Sequence, residues 1–294
     1  MLHEYLIAPF TEFDFMRYAL ASVVFLALSA APVGVFLVMR RMSLIGDALS
    51  HAVLPGAAVG YMVVGLSLPA MGLGGFIAGV LMALLAGLVS RFTEVKEDAN
   101  FAAFYLSSLA IGVILVSLGG NSVELLHLLF GSVLAVDLNA LRLMGGVATV
   151  TILTLAIIFR PLILESIDPL FLRAVKGYGG VWHIVFLVLV VLNLVAGFQA
   201  LGTLMSVGLM MLPAIAARLW VRSMGALMVV TVLGALVCGY AGLLLSYHHS
   251  ANLPSGSTII LFCGIWYLIS VLFGANSGVL MKLLRKKHHK LKVK

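Results

Sequence analysis

Residues 18–39 read YALASVVFLALSAAPVGVFLVM, an apolar run held between Arg17 and the pair Arg40-Arg41 with no charge inside it. About 20 residues of helix cross the ~30 Å of hydrocarbon in a bilayer, so this run is long enough to span one. It is apolar throughout instead of alternating, which points to a helix and away from a barrel strand. The chain continues as RRMSLIGDALSHAVLPG from Arg40 to Gly56. That stretch opens a second apolar segment, yet it contains a carboxylate, Asp47, and an imidazole, His51.

The pattern recurs to the end of the chain. Of 294 residues, 63% are hydrophobic and 10% charged, with a mean hydropathy of +1.18. A soluble domain carries about 25% charged residues. The fold class is therefore all-α and polytopic, with about eight to nine transmembrane helices. Spans are expected at 17–39, 43–65, 70–90, 101–119, 142–160, 182–198, 203–220, 225–247 and 257–275. The chain reads as one membrane domain, residues 1–294, with a cytoplasmic segment at about 161–180 and a basic cytoplasmic tail at 282–294. Met1 to Asp14 holds acids and lacks a signal peptide's basic start, so the first span is expected to stay in the mature protein. Cys238 and Cys263 both fall inside spans, without metal-type spacing, and read as small packing residues.

The net charge of +7 does not imply nucleic acid, because the basic residues flank the spans. If the tail is cytoplasmic, only Arg17 and Arg142 of the eighteen Lys and Arg fall outside. That is the positive-inside pattern, with some attraction to anionic lipid. It puts the N-terminus outside and the C-terminus in the cytoplasm. Residues 121–138 are apolar but short for a span and suit a re-entrant piece on the outer side.

Asp47 and His51 are spaced i, i+4 and share a helix face. With a helix start near Met42 they lie roughly 7 and 13 Å along it. A charge at the centre of a bilayer costs about 2.5–3.5 kcal/mol on insertion scales and calls for a partner. A transition-metal cation satisfies this pair, and so does an Asp–His hydrogen bond near the positive end of a helix. One copy supplies two ligands; two copies at a symmetry axis supply two carboxylates and two imidazoles. That set suits four-coordinate zinc, whereas manganese needs further oxygens. Pro55 cannot donate to the carbonyl of His51, so a kink is expected there.

Other polar residues have two readings each. Glu124 and His127 are spaced i, i+3 and either line a pathway or face water. His248 and His249 sit in an outer loop, and His288 and His289 in the tail. Gly56-xxx-Gly60 and Gly75-xxx-Gly79 let helices approach closely, within one chain or between two. Asp168 can cap, Pro169 can start and Gly177 can end a short cytoplasmic helix suited to docking a partner. P-loop, His-Glu-x-x-His and Gly-x-Ser-x-Gly motifs are missing from the sequence, so no enzyme of those classes is expected.

Several motifs in order resemble one family. They are RMSLIGDALSHAVLPG at 41–56, LLFGSVLAV at 128–136, GLMMLPAIAARL at 208–219 and LPSGSTI at 253–259. The chain resembles the membrane permeases of bacterial ABC importers for zinc, manganese or iron, whose architecture is that of type II importers. The resemblance implies a non-catalytic permease in the bacterial cytoplasmic (inner) membrane. It also implies a homodimer, a cytoplasmic ATPase dimer that hydrolyses ATP, and an extracytoplasmic metal-binding protein. Asp47 and His51 match the family's intramembrane metal site. Asp168, Pro169, Leu170, Phe171, Arg173, Ala174 and Gly177 match the position of the helix that docks on the ATPase. No permanently bound cofactor is expected; the cargo is a divalent metal, zinc foremost, with manganese or iron(II) as alternatives. A proton-coupled secondary transporter is the rival of a different class.

Overall fold

In a computed structural model, the described residues are 5–65, 67–93, 97–118, 136–167, 179–248 and 253–281. Among them the regular structure is helical. The helices are α1 Ala8–Glu12, α2 Asp14–Met39, α3 Ser43–Ala52, α4 Leu54–Val64, α5 Leu68–Phe92 and α6 Glu97–Leu118. They continue with α7 Leu138–Ile167, α8 Gly179–Leu201, α9 Thr203–Arg218, α10 Met224–His248 and α11 Ser255–Phe273. Glu124, His127, His249, the docking positions from Asp168 to Gly177 and the tail 282–294 lie outside the described residues.

Among the described residues eight spans are long and apolar enough to cross a membrane, with α3 and α4 together forming one of them at Leu44–Val64. The expected ninth span, 203–220, is the shorter helix α9 of 16 residues. At 1.5 Å per residue it is only about 24 Å long. It is tolerated because it is largely covered by protein, with Met205, Leu209, Met210 and Ala214 all buried. Residues 161–167, expected to lie in the cytoplasmic segment, are helical instead, since α7 runs through Pro161 to Ile167. Leu162 and Ile158 are buried on either side of that proline. Their packing outweighs the one backbone bond that proline removes.

The first apolar run becomes the centre of the bundle. Helix α2 packs against α9, α10, α7, α8 and α3. Small residues make this possible: Ala19, Ala27, Ala30 and Ala31 are fully or almost fully buried. The buried hydroxyls of Ser22 and Ser29 donate to the carbonyls of Tyr18 and Phe25, each at 2.8 Å, so neither is left unsatisfied in apolar surroundings. At Gly34 the backbone of α9 comes so close that a Cβ would collide with the Met210 carbonyl.

Side-chain contacts give the helices a consistent alternation. Arg40, after α2, meets Glu165 and Ser166 at the end of α7 and His183 at the start of α8. Arg218, ending α9, donates to the Val38 carbonyl, and Asn276, after α11, bonds the residues that follow α9. All of these mark one end of the bundle, the Arg40 end. At the opposite end, Tyr5 stacks on His248, and the start of α5 meets Gln199 of α8 at Gly72. The first and last described residues thus lie at opposite ends.

Candidate metal site

The Asp47–His51 segment is a short helix with a tight entrance and a defined break. At the entrance, the Met42 N–H bonds the Leu37 carbonyl at 2.9 Å and the Arg41 N–H bonds that of Val38 at 3.2 Å. Together these form a Schellman cap, normally closed by glycine in the left-handed region. Here Arg41 fills it with φ of 59°. The turn aims α3 back along the bundle immediately after α2 ends. At the far end α3 stops at Ala52 and α4 restarts at Leu54, with Pro55 in its first turn. Proline has no N–H to continue the α3 ladder, and the ladder is interrupted at Val53, whose backbone stays helical at φ −68° and ψ −25°. The next carbonyl, that of Ala52, takes a hydrogen bond from Ser108 Oγ of α6 at 3.2 Å.

Asp47 and His51 face each other across one turn, with Nε2 of His51 3.8 Å from Oδ1 of Asp47. They lie about 6 and 12 Å along α3 from Ser43. The Asp47 side chain is 62% exposed and that of His51 36%. The His51 ring also packs at 5.5 Å against Tyr105 of α6. The other exposed large side chains of the same span, Leu44, Val59, Met62 and Val63, are apolar, and so is exposed Leu106 of α6. A carboxylate on such a face, in a segment that crosses a membrane, is costly unless something polar covers it. Among the described residues no third His, Cys, Asp or Glu joins the two. One chain therefore offers one oxygen-donor group and one nitrogen-donor group, open on one side.

The glycine motifs are absorbed within the chain. Gly56 and Gly60 rest on α5, where a Cβ on Gly56 would strike the Gly74 carbonyl and one on Gly60 would meet that of Ala70 at 2.5 Å. Gly75 and Gly79 pack on Val53 and Val191. Cys238 and Cys263 are free and buried, as packing residues would be. His248 ends α10, exposed, and its Nδ1 bonds the Leu244 carbonyl at 3.0 Å.

The sequence gives no hint of a polar cluster at the Arg40 end. Arg40 and Glu165 form an ion pair at 3.0 Å with side chains only 7% and 10% exposed. Nothing in the local pattern pairs residues 125 positions apart. The one signal in the sequence is that Arg40 and Glu165 carry opposite charges near span ends.

A comparison with known proteins matches residues 12–274 to the model of the ABC 3 transport family. The chain belongs to the ABC 3 transport family. It is 34% identical over 264 residues to the manganese import system permease protein ScaB of Streptococcus parasanguinis, covering 88% of this chain and 90% of that one. It is 30% identical over 280 residues to the manganese transport system membrane protein MntC of Halalkalibacterium halodurans, covering 95% and 94%. Among solved structures, PsaBC from Streptococcus pneumoniae in complex with Fab superposes with a TM-score of 0.82 at 30% identity, covering 98% of this chain and all of that one. A structure described as an inward-facing metal-chelate type ABC transporter superposes with a TM-score of 0.68 at 16% identity and shares the fold. The ABC 3 chain is thus a multi-span membrane permease of the metal-importing ABC type.

Proposed function

We propose that this ABC 3 permease carries manganese, as a divalent ion, across the cytoplasmic membrane, with Asp47 and His51 as half of the transport site. One observation carries the reading. A carboxylate and an imidazole lie 3.8 Å apart, partly exposed, on a membrane-crossing segment whose other exposed large side chains are apolar. A second copy placed on that face covers the apolar surface and brings a second Asp47 and His51 to the same axis. Two carboxylates neutralise a divalent cation, and two imidazoles add neutral donors.

The donor set alone favours zinc at four-coordination, but carboxylate and imidazole also serve manganese when water or carbonyl oxygens complete the shell. The relatives named for manganese favour manganese as cargo over zinc. Iron(II) accepts the same donors. The site has to hold the ion firmly enough to select it and weakly enough to release it.

The Arg40 end carries Arg40, Arg41, Arg91, Arg160, Arg218 and Arg222, against Arg17 and Arg142 towards the other end. We place the Arg40 end, with the tail, in the cytoplasm on that charge bias. Residues 168–177 then lie on the cytoplasmic side, where an ATPase dimer docks and supplies hydrolysis. The Tyr5 end faces the extracytoplasmic binding protein that delivers the ion. Alternating access moves the site from one side to the other.

The test is uptake of radioactive manganese into vesicles holding the permease, its cognate ATPase and its binding protein. Asp47→Ala and His51→Ala each abolish ATP-driven uptake while the complex still assembles. Normal uptake by both variants refutes the site. Uptake by the permease alone, driven by a proton gradient, makes it a secondary transporter. Competition between zinc and manganese in the same vesicles decides the cargo.

A further inference from the structure

The buried cluster around Arg40 has no part in holding the ion, yet it links three elements that the transport reading needs to move together. The guanidinium donates through Nη2 to Glu165 Oε2 at 3.0 Å and through Nε to Ser166 Oγ at 3.1 Å. Its Nη1 lies 2.8 Å from Nδ1 of His183. Arginine is only a donor, so Nδ1 of His183 accepts and the imidazole proton sits on Nε2. The guanidinium carbon also stands 4.9 Å over the Phe186 ring.

The positions of these partners give the cluster its meaning. Glu165 and Ser166 belong to the last turn of α7, and His183 to the start of α8. One side chain therefore ties together the two helices that flank residues 168–178. Arg40 itself is the C-cap of α2 and opens the Schellman turn into α3. Asp47 follows seven residues later. The Val38 carbonyl beside the turn also accepts from Arg218 Nη1 at 3.1 Å, so α2, α9 and the turn are fixed to one another. A buried ion pair adds little stability over well-packed apolar side chains. What it adds is one geometry shared by all three backbones.

We propose that Arg40, Glu165 and His183 form a joint that transmits movement of the α7 and α8 ends to the helix bearing Asp47 and His51. The proposal rests on the reading of residues 168–177 as the ATPase dock. Arg40 is then a positioning residue, touching neither ion nor nucleotide. Pushing the flanking ends of α7 and α8 turns the guanidinium and, through the short 40–42 turn, tilts α3.

The experiment uses the full complex in vesicles with manganese as probe, and variants Glu165→Gln, Arg40→Met and Arg40→Lys. Manganese moved per ATP hydrolysed is expected to fall roughly three- to thirtyfold in Glu165→Gln and Arg40→Met. ATP hydrolysis and co-purification of the ATPase stay near wild type, and Arg40→Lys, which keeps the charge, is intermediate. An unchanged ratio in all three variants overturns the joint. So does a ratio lost only together with ATPase binding, which marks a purely structural cluster. A second readout does not depend on cargo. Spin labels on the exposed positions Arg41→Cys, in the turn that opens α3, and Val181→Cys of α8 report the distance from that turn to α8 with and without trapped nucleotide on the ATPase. A nucleotide-dependent change in the otherwise unaltered chain that vanishes in Glu165→Gln supports the joint, and one that persists overturns it. If the wild type takes up no metal, the proposed cargo falls while this distance still judges the joint.

Discussion

The seam between α2, α9 and α3 predicts opposite outcomes for the same chemical change at two glycines. At Gly34 an added Cβ collides with the Met210 carbonyl oxygen and lies 2.8 Å from its carbonyl carbon. Those are backbone atoms of a buried helix and cannot step aside alone; α9 must shift by about 1 Å or more to reach ordinary contact distance. Overpacking of this kind costs about 1–3 kcal/mol, against the roughly 0.5–1 kcal/mol that alanine gains over glycine inside a helix. At Gly46, beside Asp47, the same Cβ meets Met211 Cε at 2.8 Å and Met210 Cε at 3.0 Å. Those are the tips of flexible thioether chains, which repack at little cost. Gly34→Ala should therefore lose about 1–2 kcal/mol net, a drop of several degrees in melting temperature. Gly46→Ala should be neutral or slightly stabilised. The assay is thermal unfolding of each purified variant in detergent, followed by tryptophan fluorescence and by retention on size-exclusion chromatography. A Gly34→Ala protein that melts at or above wild type refutes the backbone-contact argument. So does a Gly46→Ala protein that melts lower than Gly34→Ala.

Two further outcomes follow from the site. Ser108→Ala removes the hydroxyl that satisfies the Ala52 carbonyl at the α3–α4 break. Leaving that buried oxygen unpaired costs about 1–3 kcal/mol, so the variant should melt lower and take up manganese more slowly; unchanged melting and uptake argue that another donor replaces Ser108. The second outcome concerns the imidazole. His51→Ala removes the one nitrogen donor of the pair, so manganese binding to the purified permease should weaken; an unchanged affinity would take His51 out of the site.

The class of this protein was legible in its sequence because membrane spans are one-dimensional objects. A run such as 18–39 is apolar on every face, so its helix and its burial need no knowledge of partners. The same holds for the break near Pro55, which follows from a missing N–H, and for the Asp47–His51 pair, which one helical turn brings together. The docking and re-entrant readings at 161–180 and 121–138 also rest on local pattern, and residues 119–135 and 168–178 lie outside the described residues. Boundaries were less legible: α7 passes Pro161 because Ile158 and Leu162 pack on the bundle, and local propensity at a proline does not register that.

Contacts between distant helices had to come from tertiary structure. Glycine spacing at 56 and 60 fits an intermolecular or an internal seam equally well, and only the position of α5 assigned it to the interior of one chain. Arg40 looks in sequence like a flanking charge; three-dimensional packing turned it into the buried hub between α2, α7 and α8. The exposure of Asp47 is also a tertiary result, since it depends on which face of α3 is left after α5, α6, α8 and α9 have packed around it. Composition and helical periodicity act along the chain and so are written in it. Which faces meet is decided by how the helices share one volume, and a single sequence carries that only implicitly.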